Sequence, residues 1–322
     1  MSKATAIAHP IQGLVKYHGL RDPKLRLPLH DSISVCTAPF ETRTTVEVRP
    51  DLKADVVEID GQPAAERAYE RAVTVINAIR QKSGRGEKVF VKSANNFPSN
   101  IGLGASSSGF AALAFATDKA FEAGLSRNEL SAIARLGSGS ACRALVGGYA
   151  QWYAGNNHES SFAEPLATAK QLPMSMVIAI IPAFKHTEDA HKEAMQSPLL
   201  PCRVAFARAL IDDMRGAIAR ADFTAVAMMA EQDTLCLHAT TMTGPSGHIH
   251  WQPETLQVMH EVRRMRAEGL ECYFSIDTGA TVYINSTAEN QNAVKERIDA
   301  LGIETALASV GSGARLVRSH LF

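Results

Sequence analysis

Residues 88–124 read KVFVKSANNFPSNIGLGASSSGFAALAFATDKAFEAG, and this run decides the reading of the fold. KVFVKS (88–93) is a Val-rich β-like run that reads as a strand. FAALAFATDKAFEAG (110–124) is Ala-rich and closed by Gly124, which predicts a helix with a glycine stop. Between them lies Pro98–Gly109, a loop of glycines (Gly102, Gly104) and serines (Ser99, Ser106, Ser107, Ser108). Glycine lets backbone approach a ligand closely, and serine hydroxyls donate to it. The following helix start offers free N–H groups at the positive end of its dipole. Strand, such a loop, then helix forms a cradle for polyphosphate. The loop lacks the Gly-Lys-Ser/Thr ending of a Walker A loop and fails the G-x-G-x-x-G spacing of a dinucleotide fingerprint. Taken alone, it also reads as a turn before a packing helix.

Outward from this run, strands and helices alternate. TTVEVR (44–49) and ADVVEIDG (54–61) are Val- and Ile-rich strands, and AERAYERAVTVINAIRQK (65–82) is a helix crossing between strands. Downstream, Ser126-Arg127-Asn128-Glu129 is a capping box opening a helix that ends at Gly137. A short helix follows from Ser140 to Val146, then a strand at 149–155. The segment 156–173, with Pro165 and Pro173, reads as a crossing between two domains. Beyond it come a buried strand in MSMVIAIIP, helices near 201–218, 222–237 and 253–268, strands at 271–276 and 281–286, a helix at 288–301 and a strand near 305–310. Strands separated by long helices imply a mixed α/β or α+β chain. A length of 322 residues suggests about two domains or one large α/β unit, and the crossing segment puts the expected division at 1–170 and 171–322.

Composition bounds the function. Lys+Arg and Asp+Glu are equal at 33 each, which argues against a nucleic-acid binder needing a basic face. No apolar run approaches the roughly 18–20 residues of a membrane span, and MSKATAIAHP lacks the apolar core of a secretory signal. Cys36, Cys142, Cys202, Cys236 and Cys272 are odd in number and never C-x-x-C, as expected of reduced thiols in a cytoplasm.

Three further stretches carry chemistry. Ser138, Ser140 and Arg143 lie in GSGSACR (137–143), with Ser140 and Arg143 three apart on one helix face, suited to a carboxylate or phosphate. A serine cap with a solvated arginine accounts for them equally well. Asp277, in DTG after an apolar strand, is either a poised base and charge partner or a turn aspartate. Lys16-Tyr17-His18-Gly19 is either a phosphate-contacting turn or a solvated one. His248 and His250 have no third ligand at metal spacing and read as loop, and His238 reads as a packed histidine.

In order along the chain, these pieces resemble one family. HPIQGLVKYHGLRDPKLRLPLHDSISV (9–35), NNFPSNIGLGASSSGFAALA (95–114), ARLGSGSACRALVGGYAQW (134–152), LHAT (237–240), FSIDTGATVYI (274–284) and VGSGAR (310–315) are similar to the ATP-dependent mevalonate-pathway decarboxylases of the GHMP kinase superfamily. The resemblance implies an α+β fold with a ribosomal-protein-like β/α N-terminal domain, a ferredoxin-like C-terminal domain and an active site between them. It implies ATP and Mg²⁺, a phosphorylated mevalonate as substrate, and a cytoplasmic homodimer. Asp277 would accept or orient the hydroxyl proton and stabilise the cationic carbon, Arg143 would hold the substrate carboxylate, and Ser140 would help position substrate. Tyr17, His18, Ser138 and Arg67 (or Arg71, since the register is ambiguous) would contact substrate. Asn95, Asn96, Pro98, Gly102, Gly104, Ser106 and Ser107 would bind ATP, with Ser106 also at the metal.

The chain departs from the family at two positions of its first motif, carrying His18 for tryptophan and Leu20 for lysine. Ala105 also replaces the first of a serine pair. A leucine removes a charge-assisted contact worth roughly 1.5–3 kcal/mol. The expected substrate therefore carries less charge at its 5-end: (R)-5-phosphomevalonate rather than the 5-diphosphate. The alternatives are a diphosphomevalonate decarboxylase, a mevalonate 3-kinase and a ligand-sensing homologue without activity. His18, Arg67, Lys185 and Lys192 are candidates for replacing the lysine.

Overall fold

A computed structural model of the chain describes residues 2–98, 102–183 and 187–322. Lys185, and Ser99–Ile101 of the glycine–serine loop, lie outside the described residues. The first half holds β1 (Lys3–Ala8), β2 (Ile11–Val15), β3 (Leu20–Asp22), β4 (Leu27–Pro28), β5 (Ser32–Ala38), β6 (Thr42–Arg49), β7 (Val56–Ile59), β8 (Gln62–Pro63), α1 (Glu66–Ser83), β9 (Lys88–Asn95), α2 (Ala105–Phe121), α3 (Arg127–Gly137), α4 (Ala141–Val146), β10 (Tyr149–Trp152) and β11 (Ala163–Ala167). The second half holds β12 (Ser175–Ala179), α5 (Thr187–Gln196), α6 (Leu200–Ala219), α7 (Phe223–Met242), α8 (Pro253–Ala267), β13 (Cys272–Ser275), β14 (Val282–Ser286), α9 (Gln291–Asp299), β15 (Thr305–Val310) and β16 (Arg315–Val317).

Among the described residues, one six-stranded sheet runs β16-β1-β6-β9-β7-β8. Helices α1 to α4 cover it, and Val46, Val91, Ile76, Ala112 and Ile133 share its core. A second sheet runs β11-β10-β5-β15-β12-β14-β13, with β2 paired to β5. It joins strands from both ends of the chain, because β5 pairs with β15 through Ala38↔Ser309 and Thr37↔Val310. Helices α6 and α7 pack on one face over Leu14, Ile33, Met176 and Met214, and α8 and α9 lie over Val177, Phe274 and Val282. This mixed, largely antiparallel arrangement is α+β, as expected.

Three local readings change. The segment read as a plain crossing, 156–173, contains β11. Pro165 is tolerated there because β11 is the edge of its sheet, where a missing N–H costs no ladder bond. The segment around His191 folds as α5, and α2 begins at Ala105, five residues before the Ala-rich run, so its first turn is made by the loop serines. The capping box is as predicted: the Ser126 hydroxyl accepts the Glu129 N–H, and the Glu129 carboxylate accepts the Ser126 N–H. All five cysteines are free.

Candidate active site

The two sheets and the α2 start enclose a cleft of about 810 Å³. Tyr17, His18, Arg67, Asn95, Gly102, Gly104, Ser106, Ser107, Ser138, Ser140, Arg143 and Asp277 all line it. Asn96 and Pro98 are not among the lining residues. The Asn96 carboxamide instead accepts the Glu41 N–H at 2.8 Å and donates to the Pro39 carbonyl at 2.9 Å, holding the turn between β5 and β6.

One wall is made of backbone and hydroxyls. Gly104, at φ +75°, turns the chain into α2, whose start has no side-chain cap and no acid in its first turn. An unneutralised helix N-terminus attracts anions. A Cβ at Gly104 would sit 3.3 Å from the Ile11 carbonyl, and one at Gly102 would sit 3.2 Å from Thr281. Glycine at both positions therefore keeps the loop low against β2 and β14. The Ser107 hydroxyl faces inward: it donates to the Gly104 carbonyl at 2.6 Å and accepts the Ile11 N–H at 3.3 Å. Ser106 is exposed to the cleft. Its oxygen is 3.5 Å from that of Ser138, which is 3.1 Å from Ser140, so a row of hydroxyls crosses from α2 to α4.

Arg143 is 2% exposed and donates to the Ser32 hydroxyl at 2.6 Å. Its guanidinium lies over Tyr17 and Trp152, 5.6 and 5.7 Å from their centroids. These contacts fix a buried cation in one orientation, as two-point capture of a carboxylate requires. A Cβ at Gly139 would strike the Tyr17 hydroxyl, so glycine there lets the loop close on that ring. Arg67 and Arg71 both line the cleft; Arg71 also donates to the Gly137 carbonyl at 2.6 Å.

The opposite wall is charged, with Lys16, Asp233 and Arg203 buried behind a half-buried Asp277. The Asp277 carboxylate accepts the Gly13 N–H through both oxygens, at 3.1 and 3.2 Å. Nearby, Lys16 is buried and donates to Ser275 at 2.9 Å and Thr234 at 3.0 Å. Burial pushes its pKa down, and the charges of Asp233 and Asp277 oppose the shift. Asp233, itself fully buried, pairs with Arg203 at 2.6 Å and accepts the Lys16 N–H at 2.9 Å, while Arg203 donates to the Lys16 carbonyl at 2.7 Å. Arg203 and Asp233 were missed at the sequence level, because each sits inside an ordinary helical pattern more than 180 residues from Lys16.

Histidines complete this wall. His18 Nε2 lies 3.1 Å from the Thr278 hydroxyl, and its ring stands 5.3 Å from that of His191. Burial, then the neighbouring His191, His250 and His238, hold the His18 pKa well below the usual value, so the ring is neutral. His238 is likewise pushed down to about 3 by burial, and its Nε2 reaches the Ile276 carbonyl at 3.4 Å, as expected of a packed histidine. Among the described residues no three His, Cys, Asp or Glu side chains are arranged to hold a metal. Leu20 pairs with Pro28 across the β3–β4 hairpin and is not among the lining residues, and neither is the exposed Lys192.

Comparison with known proteins places the chain in a family. Residues 8–163 match the diphosphomevalonate decarboxylase-like N-terminal domain. Phosphomevalonate decarboxylase of Haloferax volcanii is 48% identical over 316 residues, 98% of each chain. Diphosphomevalonate decarboxylase of Saccharomyces cerevisiae is 28% identical, covering 86% of this chain and 76% of that one. Among solved structures, mevalonate diphosphate decarboxylase from Enterococcus faecalis superposes with a TM-score of 0.91 at 31% identity over 99% of both chains. A complex of MDDEF with MVAPP, AMPPCP and magnesium gives 0.92 at 30% identity, again over 99% of both. With nearly half of its residues shared along almost the whole of a curated relative, the chain belongs to the mevalonate-pathway decarboxylase family of the GHMP kinase superfamily.

Proposed function

We propose that this protein is an ATP-dependent carboxy-lyase that converts (R)-5-phosphomevalonate to isopentenyl phosphate, ADP, phosphate and carbon dioxide. The observation that carries the reading is the convergence of Asp277, Ser140, Arg143 and Ser106 on one cleft, in a chain 48% identical to a phosphomevalonate decarboxylase. Relatives named diphosphomevalonate decarboxylase match at 28–31%, which favours the monophosphate substrate over the diphosphate.

The chemistry follows from the substrate. A 3-hydroxy acid has no carbonyl placed to receive the electrons freed by losing carbon dioxide. Its tertiary hydroxyl oxygen first attacks the γ-phosphorus of ATP; the bond to the β-phosphate oxygen breaks, and ADP leaves. Asp277 is the group placed to orient the hydroxyl and accept its proton, its carboxylate fixed by the Gly13 N–H. Asp277 passes the accepted proton to an oxygen of the new 3-phosphate; the C3–O bond then breaks with that protonated phosphate as leaving group, and positive charge grows at C3. The Asp277 carboxylate stabilises that charge in a site screened from water. The C1–C2 pair becomes the C2–C3 double bond, releasing carbon dioxide. Arg143 and Ser140 hold the carboxylate until then.

The uncapped α2 start and the close-packed Gly102 and Gly104 fit a polyphosphate, with Ser106 exposed beside it. Magnesium fits a site offering few protein ligands, since it is commonly held by one or two side chains together with substrate phosphates. Ser106 is the side chain for it here, and the ion would neutralise phosphate charge. We assign the working form to a cytoplasmic homodimer, as the family resemblance implies; light scattering on the purified protein tests the dimer. Among the described residues no helix is long and apolar enough to cross a membrane.

The test is direct. Purified protein is incubated with ATP-Mg and mevalonate, its 5-phosphate or its 5-diphosphate, and phosphate and carbon dioxide release are followed. The 5-phosphate should give the highest kcat/KM. A preference for the diphosphate by more than about tenfold would overturn the assignment, and phosphorylation of mevalonate without carbon dioxide would identify a 3-kinase.

A further inference from the structure

The β3–β4 hairpin carries a cation to which the mechanism above gives no part. The Asp22 carboxylate accepts the Leu25 N–H at 2.9 Å and closes its turn. Arg26 follows at φ +53°, in the left-handed region. That backbone disfavours any residue with a Cβ, and glycine or asparagine would serve the turn better. Arg26 is half-buried and lines the cleft. Its charge is felt at the Tyr17 end: burial raises the Tyr17 phenol, and the nearby Arg26, Arg143 and Arg71 cations oppose that rise. In the same hairpin Leu20 is apolar and does not line the cleft.

We propose that Arg26 is a specificity-determining residue of this enzyme, gripping the substrate's terminal 5-phosphoryl group from the turn of the β3–β4 hairpin. The proposal rests on the phosphomevalonate reading above. A planar guanidinium can meet two phosphate oxygens at once, and a half-buried one does so with less screening than an exposed lysine. Presented from position 26 rather than 20, the cation reaches the cleft from the turn of the hairpin and not from its first strand.

The test uses Arg26→Asn and Arg26→Lys, compared with the parent under ATP-Mg on the phosphorylated substrate that the parent prefers. Asparagine suits left-handed backbone, so Arg26→Asn keeps the turn, and circular dichroism should show it folded at the assay temperature. Its KM for the phosphorylated substrate should nevertheless rise about 10- to 100-fold, the loss expected on removing a charge-assisted contact, with KM for ATP within about twofold. Arg26→Lys should recover part of the loss. A substrate KM within about twofold of the parent in Arg26→Asn overturns the proposal, as does an equal rise in KM for ATP, which marks general distortion. The parent's own preference is read separately. If it takes the diphosphate, the phosphomevalonate reading falls and Arg26 is judged by the same KM ratio on the diphosphate. If it takes only unphosphorylated mevalonate, both fall.

Discussion

The two walls of the cleft are built on different principles. The wall proposed to hold the phosphates, Gly102 to Gly109 with Ser138 and Ser140, has no charged side chain and presents backbone N–H groups, hydroxyls and close-packed glycines. The acidic wall buries Lys16 and Asp233, leaves Asp277 half-buried at the cleft, and answers each charge: Asp277 by Gly13, Lys16 by Asp233, and Asp233 by Arg203. Its members come from residues 13 to 277 of the chain. The difference teaches where reactivity can be kept. A surface that binds a polyanion can be local and uncharged, whereas a carboxylate that must face developing positive charge has to be held by contacts from several elements. Breaking such a buried set by removing one partner is costly, because the other charge is left uncompensated.

Asp277→Asn gives the largest expected effect. It keeps the shape and removes the charge, so carbon dioxide release should fall by about 10³-fold or more, about 4 kcal/mol of transition-state stabilisation. ATP affinity, measured by calorimetry, should stay close to the parent value, because the phosphate wall is untouched. A parallel loss of ATP binding would break the contrast between the walls, and near-normal product formation would remove Asp277 from the chemistry.

Acid should sharpen the contrast next. His18 and His238 have folded-state pKa values depressed by burial, His238 to about 3, while the unfolded chain titrates near the ordinary histidine value of about 6.5. Below that value the unfolded chain binds protons that the folded chain refuses. The stability these neutral rings confer is therefore complete above about pH 6.5 and is lost as pH falls toward the folded pKa values. Each group contributes up to about 1.4 kcal/mol per pH unit, so at pH 5.5 the pair should lower stability by up to about 3 kcal/mol. Urea midpoints at pH 7.5 and 5.5 measure this, and His238→Gln should flatten the slope. An unchanged slope in that variant would mean that the acidic wall is not what titrates.

The same contrast governs what a single sequence could tell. The phosphate wall was legible because its signals are consecutive: glycines, serines, a helix start and the Ser126–Glu129 capping box all lie within 42 residues. The strands β1 and β2 were not assigned, because they are buried almost throughout and so lack the alternation that marks a half-exposed strand. Asp277 and Lys16 were noticed as residues, but their relation through Gly13, Ser275 and Asp233 depends on pairings that no local pattern encodes. Arg26 was passed over because its side chain reads as one more surface charge. Only its left-handed backbone and its place in the cleft single it out.

Gly13→Ala probes the acidic wall without changing any charge. A Cβ there would lie 2.7 Å from Lys16 Cγ and 2.9 Å from Asp277 Oδ1, too close to both. The carboxylate would be displaced while its N–H partner remained. Misplacement of a catalytic group by about 1 Å can cost about 100-fold, so kcat should fall by about that factor with KM for ATP nearly constant. Activity within about threefold of the parent would show that Asp277 tolerates movement, and that its fixed orientation is not what the wall supplies.

Leu20→Lys should have the smallest effect, and it tests whether charge alone tunes the substrate end of the cleft. The resemblance places a lysine at this position in diphosphate-using relatives, so restoring it should shift the ratio of kcat/KM values toward the 5-diphosphate. Position 20 does not line the cleft here, and its backbone is paired with Pro28. A lysine would therefore have to extend from the strand toward an anion through partly screened surroundings, where an exposed ion pair contributes about 0.2–1 kcal/mol. The expected shift is about two- to fivefold, measured as the ratio of the two substrates' kcat/KM values in variant and parent. A ratio that does not move would mean that charge at position 20 no longer reads the substrate in this chain. A shift above about tenfold would mean that the hairpin rearranges to bring position 20 into the cleft, so that the substrate end is shaped by the bound anion.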